Sequence, residues 1–436
     1  MASTYLSKSV GSINEKTFTV SFWVKRGKLG DEQHILGNYV DNNNRTHLFF
    51  RDQDNFQVFQ NIGGTAHSCV THAKFRDVNG WYHFVVAIDT TQATASNRCR
   101  IYVNGVEQAL DGPTYHNQNT NLSIRGTHYI GYYHGSTSHY FDGSLSHLHF
   151  IDGTAYDASA FGETDSTTGE WKIKTSPSVT YGTEGYFILK DGNSVTNQAG
   201  NSAGNFSVSG GTLTKTEDCP SNVFCTLNPL MSRITGYASG NATSLSFSNG
   251  NTYAGKVTHG AYFGTIGVSS GKFYWEVKVE DTNQLIGIVA MRPTGGVTYL
   301  YDDATINGYY PYGNNVYTNG SSASGGPYDN TSNKIYSFAL DAGNNKLWVG
   351  RDGSFTGDPA NGTGATWSSL PTGHDWTPVM HTMSTSQNNN AWFNFGNGYF
   401  GTTAVASAGT NASGIGIFEY DVPTGYTALS TKGLNE

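Results

Sequence analysis

Charge is scarce in this 436-residue chain: only 13% of its residues are Asp, Glu, Lys or Arg. The 25 Lys+Arg face 33 Asp+Glu, for a formal net charge of -8. Nucleic-acid binding rests on clustered cations that neutralise phosphates, so no nucleic-acid partner is expected. Stretches rich in Ala, Leu, Glu and Lys are almost absent, which excludes a helical protein. There is no run of about 20 apolar residues, so no membrane insertion is expected. The start, Met1-Ala2-Ser3-Thr4-Tyr5, lacks the basic region and apolar core of a secretion signal. Cysteine is sparse as well. Cys69, Cys99, Cys219 and Cys225 fit no zinc spacing and are too few to staple a chain of this length. Buried free thiols are their expected state.

What the chain has instead is glycine and aromatic rings. Gly makes up 54 of the 436 residues, about 12% against a usual level near 7%. Aromatics reach 13%, led by 27 Tyr and 23 Phe, which excludes a disordered chain. Short strands joined by Gly/Asn/Ser/Thr turns follow, and the fold class is all-β. In Thr17–Val24 the residues Phe18, Val20, Phe22 and Val24 alternate, the period-2 pattern of a half-buried strand. Trp81–Asp89 is apolar enough for the centre of a sandwich, and Arg100-Ile101-Tyr102-Val103 runs into Asn104-Gly105, a hairpin turn. From about Asp191 to Gly211 large apolar residues thin out, which reads as a linker. A second strand-rich region starts near Leu245, with Gly271–Val279, Leu285–Met291, Ile335–Leu340 and Lys346–Val349 as its clearest strands. No period of 20–50 residues repeats, so two β-sandwiches in series are expected rather than a solenoid or propeller.

These residues resemble known families. Phe18–Val24, Trp81–Val85, Ile101–Gly105, Tyr129–Gly131 and Phe141–Leu145 stand in the order and spacing of a laminin-G-like, concanavalin A-type jelly roll. In the second half, Gly271–Glu276, Ile286–Ile288, Tyr336–Asp341, Lys346–Gly353, Asn394–Gly396 and Pro423–Tyr426 resemble a SPRY domain. Phe161–Asp165, Trp171 and Asp218–Pro229 are similar to segments of bacteriophage virion proteins that pair these two modules. The resemblance implies two concanavalin A-like antiparallel sandwiches in tandem: residues 1–165, a connecting segment 166–235, and a SPRY-like sandwich 236–436. It also implies a structural protein on the virion surface, assembled in the host cytoplasm among other virion proteins and as a homo-oligomer. Tail fibres commonly carry a long N-terminal attachment region, whereas the lectin-like landmarks here begin at once. That departure keeps capsid or vertex decoration in play as the alternative to the tail-associated adhesin for host-surface glycan that is expected, with polysaccharide depolymerase third.

No catalytic constellation is expected. Glycosidases flank the scissile bond with two carboxylates, about 5 Å apart when they retain configuration. The closest segment places Glu276, Lys278 and Glu280 on one strand face, which reads as an exposed ion-pair face. Gly396–Gly401 matches G-x-G-x-x-G, but no helix pattern follows to hold pyrophosphate, so a Gly-rich turn is expected. His147 and His149 share a strand face without a third ligand, and hydrogen-bonded or solvated histidines are expected there, with no metal. Asp41–Asn44 and Asp52–Asn55 could offer oxygens to calcium, which laminin-G-like domains sometimes bind, yet neither has EF-hand spacing and both read as polar turns. The best binding signal is aromatic. In a stretch that reads as a long loop, Tyr299, Tyr301, Tyr309, Tyr310, Tyr312, Tyr317 and Tyr328 mix with Asp302, Asp303, Asn314 and Asn315. Rigid rings beside amides suit the apolar faces and hydroxyl rims of sugars. Tyr309, Tyr310, Tyr312, Tyr317, Asn314 and Asn315 are the primary candidate site, against subunit contact or simple packing, and Tyr132, Tyr133 and Tyr140 are a secondary patch.

Overall fold

A computed structural model describes residues 3–136, 138–190, 192, 194–231, 245–255, 260–291, 299–383 and 389–436. The chain forms two units, residues 1–215 with 219–221 and residues 216–218 with 222–436. Each unit is an antiparallel β-sandwich built around its own core, so the chain is all-β with two jelly rolls in tandem. The helical turns among the described residues are short 3-10 segments such as Ala95–Arg98, and no helix there is long and apolar enough to cross a membrane.

In the first unit a seven-stranded sheet runs in the order Ser207–Ser209, Tyr5–Val10, Gly126–Ile130, Gln33–Asp41, Asn44–Phe50, Asn55–Ile62, Thr65–Lys74. It packs on a six-stranded sheet ordered Tyr186–Ile188, Gly143–Asp152, Thr17–Arg26, Tyr82–Asp89, Cys99–Val103, Val106–Glu107. Phe18, Val20, Phe22 and Val24 point into the core between the sheets, where they meet Leu36, Leu48, Phe50, Phe84 and Phe150. Each fully buried ring or branched side chain contributes about 1.5–3 kcal/mol. The strand is not half-buried, however. Its other face carries Thr19, Ser21 and Trp23, which are also buried. Trp23 stacks on His83, and Trp171 stacks on the same imidazole and donates its indole N–H to His83 Nδ1 at 2.9 Å. The Asn104-Gly105 turn forms as expected, with φ of 47° and 84°.

The stretch from about Asp191 to Gly211, expected to be a linker, belongs in its described residues to the first unit, as does the segment before it. Tyr186–Ile188 pairs with Leu148–Phe150 at the sheet edge, and Ser207–Ser209 pairs with Tyr5–Ser7. The polar composition is that of an ordered loop whose amides replace backbone partners: Asn201 Nδ2 donates to the carbonyls of Gly182 and Gly185, each at 2.8 Å. Phe206 in the same stretch is buried in the core. The boundary expected at 235/236 lies outside the described residues.

In the second unit one sheet contains Ala391–Asn394, Lys272–Val279, Ile335–Asp341 and Lys346–Arg351 as neighbours, with Thr427–Ala428 pairing parallel to Lys272–Val279. The facing sheet runs Ala261–Phe263, Trp376–Thr382, Gln284–Ala290, Asn307–Tyr310, Asn315–Thr318, Ser321–Ser324. Trp275, Phe338, Ile286, Ile288 and Trp376 fill the space between them.

Candidate functional site

The tyrosine-rich stretch of the second unit contains three short strands and their turns rather than a loop. Alternation along Asn307–Tyr310 sends Tyr309 into the core, fully buried against Tyr328 and Tyr336. Its hydroxyl lies 3.0 Å from Asn314 Oδ1 and 2.6 Å from the Tyr328 carbonyl, and burial pushes its pKa up to about 12. Tyr317 is buried beside Tyr301, and Tyr310 is half-buried with its hydroxyl donating to Asn283 Oδ1 at 3.1 Å. Asn315 pairs with Tyr310 in the ladder. Of the six primary candidates, Tyr312 alone is a largely exposed ring, at 55%. A ring that closes the core cannot also stack on a sugar, so Tyr309 and Tyr317 are removed from the ligand site.

The secondary patch gathers more around it. Alternation on Gln33–Asp41 and Asn44–Phe50 turns Leu36, Leu48 and Phe50 inward. The outer face then carries the cross-strand pairs His34–Phe49, Gly37–His47 and Tyr39–Arg45. Phe59 stands opposite His47 on one side, and Tyr129 opposite Gly37 on the other. Gly37 is needed here because a Cβ at that position would lie 2.8 Å from His47 Nδ1. Tyr133, from the turn after Gly126–Ile130, covers this row. Its ring stacks on His34 (4.8 Å between centroids), meets His47 edge-on (4.4 Å) and approaches Tyr39 (5.9 Å). Its hydroxyl accepts a 3.0 Å hydrogen bond from Arg45 Nη1. Tyr132 stacks between Tyr5 (4.7 Å) and Tyr140 (4.8 Å), and the exposed His134 stacks on Tyr129 at 4.4 Å. The result is a band of rings across one sheet face with a guanidinium at its centre.

Beneath Tyr133 the polar atoms are poorly satisfied. His34 and His47 are 2% and 3% exposed, and neither ring nitrogen of either residue has a hydrogen-bond partner. Glu32 Oε2 is 3.9 Å from His34 Nε2 and 3.7 Å from His139 Nδ1, close enough to attract but too far to accept a hydrogen bond. Arg45 Nε is buried without an acceptor. Burial lowers the pKa of His47 to about 2, with His34 and Arg45 adding to the shift, so the ring is neutral. Burial also holds His34 below its ordinary value. Each buried polar group left unpaired costs about 1–3 kcal/mol. His34, Tyr39, Arg45 and His47 were missed from sequence, although Arg45, His47 and Phe49 alternate with the buried Thr46, Leu48 and Phe50.

The remaining candidates settle into structural roles. Asp41 Oδ1 accepts from the Asn43 amide at 2.7 Å and Asn42 Oδ1 from the Tyr39 hydroxyl at 3.1 Å, so this segment is a turn held by its own side chains. Asp54 is buried and ion-paired with Arg26 (3.2 Å) and Arg76 (2.9 Å). The strand bulges between Ser146 and His149; His147 takes φ 46°, and His149 packs on Phe187 with Nδ1 2.8 Å from the Tyr181 hydroxyl. No group of three or more His, Cys, Asp or Glu able to hold a metal occurs among the described residues. Cys69, Cys99 and Cys225 are buried free thiols, and Cys219 is partly exposed.

Glu276 is not part of an exposed ion-pair face. It is fully buried, and its carboxylate accepts from Tyr274 Oη (3.0 Å), Asn394 Nδ2 (3.1 Å) and the amides of Glu419 and Tyr420 (2.9 Å each). Gly396–Gly401 leads into the hairpin of Tyr399–Phe400 with Thr403–Ala404.

Residues 1–160 match the family described as the concanavalin A-like lectin/glucanases superfamily. No curated protein matches the chain. Among solved structures, domains LG4-5 of the mouse laminin alpha1 chain are similar over 90% of this chain and 86% of their own, at 10% identity and a TM-score of 0.30. The SPRY domain of human HERC1 is similar over 34% of this chain and 91% of its own, at 14% identity and a TM-score of 0.28. A heptameric SAP-like pentraxin from Limulus polyphemus is similar over 49% of this chain and 88% of its own, at 16% identity and a TM-score of 0.32.

Proposed function

We propose that the chain is a non-catalytic, glycan-binding protein on the surface of a bacteriophage particle, where it attaches the particle to its host. The observation that carries the binding half is the band formed by Tyr39, Phe59, Tyr129 and His134 around Arg45 on one face of the seven-stranded sheet. Aromatic faces stack on the C–H faces of sugars, and a guanidinium and imidazoles supply the hydrogen bonds that orient them. The match of residues 1–160 to a superfamily that includes lectins supports the same reading. The virion setting rests on the pairing of a laminin-G-like half with a SPRY-like half and on the joining segments that resemble phage proteins.

The non-catalytic half is supported by how two of the carboxylates are used. Glu276 is spent on four donors, and Glu32 faces His34 and His139 rather than a second carboxylate. Full-length protein passed over immobilised envelope glycans of the host should be retained reversibly, with no reducing ends released. Release that a single carboxylate substitution abolishes would overturn the reading. Gold-labelled antibody on purified particles tests the setting: label at the tail tip is expected. Label over the head would replace attachment with decoration, and no label from a competent antibody would remove the virion role.

A further inference from the structure

We propose that Tyr133 is a removable plug seated where a sugar ring binds, and that the ligand it yields to is a glycan carrying a carboxylated sugar. This rests on the glycan-binding reading above and goes further by naming the subsite and the ligand chemistry.

The groups under Tyr133 lack partners that they need. Two imidazoles are nearly fully buried: His47 has neither ring nitrogen hydrogen-bonded, and His34 has only Glu32 Oε2, 3.9 Å from its Nε2, an arrangement that folded proteins avoid unless something else supplies the partners. A neutral imidazole offers one donor and one acceptor, which is the complement of a sugar hydroxyl. The plug itself is a six-membered ring stacked on His34 and held edge-on by His47, and Phe49 stacks on the other contact of His34 at 4.7 Å. A pyranose is of similar width and would take the same stacking position.

Arg45 gives the charge of the ligand. Its Nη1 is engaged by the neutral Tyr133 hydroxyl and by Asn42 Oδ1 at 3.2 Å, while its Nε is buried with no acceptor. A guanidinium is matched by a carboxylate, which accepts two parallel hydrogen bonds where a phenol accepts one. A carboxylate entering as Tyr133 leaves would pair with Nε and Nη together. Tyr133 sits on the turn that Gly131 begins at φ 78°, and the turn is shaped around its ring, since a Cβ at Gly135 would lie 2.7 Å from it. Rotation of the phenol outward about its own side-chain bonds would uncover His34 and His47 and leave the pairing of Gln33–Asp41 with Asn44–Phe50 in place.

Calorimetry of the full-length chain with trigalacturonate and with neutral galactotriose tests this. Tyr133→Ala should bind trigalacturonate about tenfold more tightly than the unsubstituted chain, because the cost of opening is removed. Tyr133→Phe, which keeps the ring but drops the Arg45 bond, should fall between them. His47→Ala and Arg45→Gln should each weaken binding about tenfold, and galactotriose should bind less well throughout. If the unsubstituted chain binds glycan and Tyr133→Ala binds no more tightly, the plug is wrong and the glycan reading stands. Equal affinity for the two sugars removes the carboxylate. Failure of every variant to bind host glycans of any charge overturns both proposals. A thermal melt of Tyr133→Ala within a few degrees of the parent keeps loss of fold out of the comparison.

Discussion

Two buried polar sites, one in each unit, resolve the same physical problem in opposite ways. Glu276 sits in the second unit with no solvent exposure and four hydrogen-bond donors on its two oxygens. His34 and His47 sit in the first unit almost as deeply, with no hydrogen-bond partner at all. The carboxylate is a fastener: it clamps the backbone at Glu419 and Tyr420 to the strand Lys272–Val279. The imidazoles fasten no backbone and are held by stacking, with Glu32 3.9 Å from His34 Nε2. Four donors identify Glu276 as a group that serves the fold, whereas the imidazole nitrogens are left for a ligand to satisfy under the proposal above.

The largest expected effect comes from breaking the fastener. Glu276→Ala leaves two backbone amides, an Asn amide and a Tyr hydroxyl facing a cavity. It should destabilise the second unit by about 3–5 kcal/mol in urea unfolding. A loss below about 1 kcal/mol would show that water replaces the carboxylate and that the clamp is ornamental. His47→Ala should cost the first unit far less than a comparable core deletion, since an unpartnered ring is lost along with its packing.

The pH dependence separates the two sites by sign. Burial raises the Glu276 pKa to about 7 despite its four donors. A carboxyl whose folded pKa lies above its unfolded value binds its proton more tightly when folded. Its contribution to stability is complete below about pH 4.5 and is lost as pH rises through 7, a change of about 3 kcal/mol. His47 runs the other way. Its folded pKa near 2 lies below the unfolded value of 6.5, so its contribution is complete above pH 6.5. That contribution falls by about 3 kcal/mol as pH drops to 4.5. Between pH 4.5 and 6.5 the melting temperature of the second unit should fall with pH relative to Glu276→Gln, and that of the first should rise relative to His47→Gln. Parallel slopes in parent and variants would remove the contrast.

How much of this could be read from the chain alone follows from the range over which each feature is encoded. Phe18, Val20, Phe22 and Val24 declare their strand within eight residues, and Asn104-Gly105 declares its turn within two, because strand alternation and positive φ are local. The sheet face is not local. Arg45 and Tyr133 are 88 positions apart, and only the pairing of Gly126–Ile130 with Gln33–Asp41 brings the plug over His47. Tyr132, Tyr133 and Tyr140 were visible as a cluster, but what lay beneath them was not. The second tyrosine cluster misled for the complementary reason. Gly and Asn between its rings read as loop, whereas they are the turns of short strands, and strand alternation buried Tyr309.

That misreading supplies the smallest and most discriminating expected effect. Tyr309→Phe keeps the ring in the core and removes the hydroxyl, leaving the Tyr328 carbonyl and Asn314 Oδ1 short of a donor. It should cost about 1 kcal/mol of second-unit stability by urea unfolding. Tyr312, three residues on and 55% exposed, touches little beyond Tyr310 at 6.1 Å. Tyr312→Ala should change stability by less than about 0.5 kcal/mol. It should also leave retention on host glycans unaltered under the proposal that the ring band of the first unit does the binding. Stability unchanged but retention lost would move the sugar site to the second unit, because an exposed ring with no structural duty would then be shown to have a functional one.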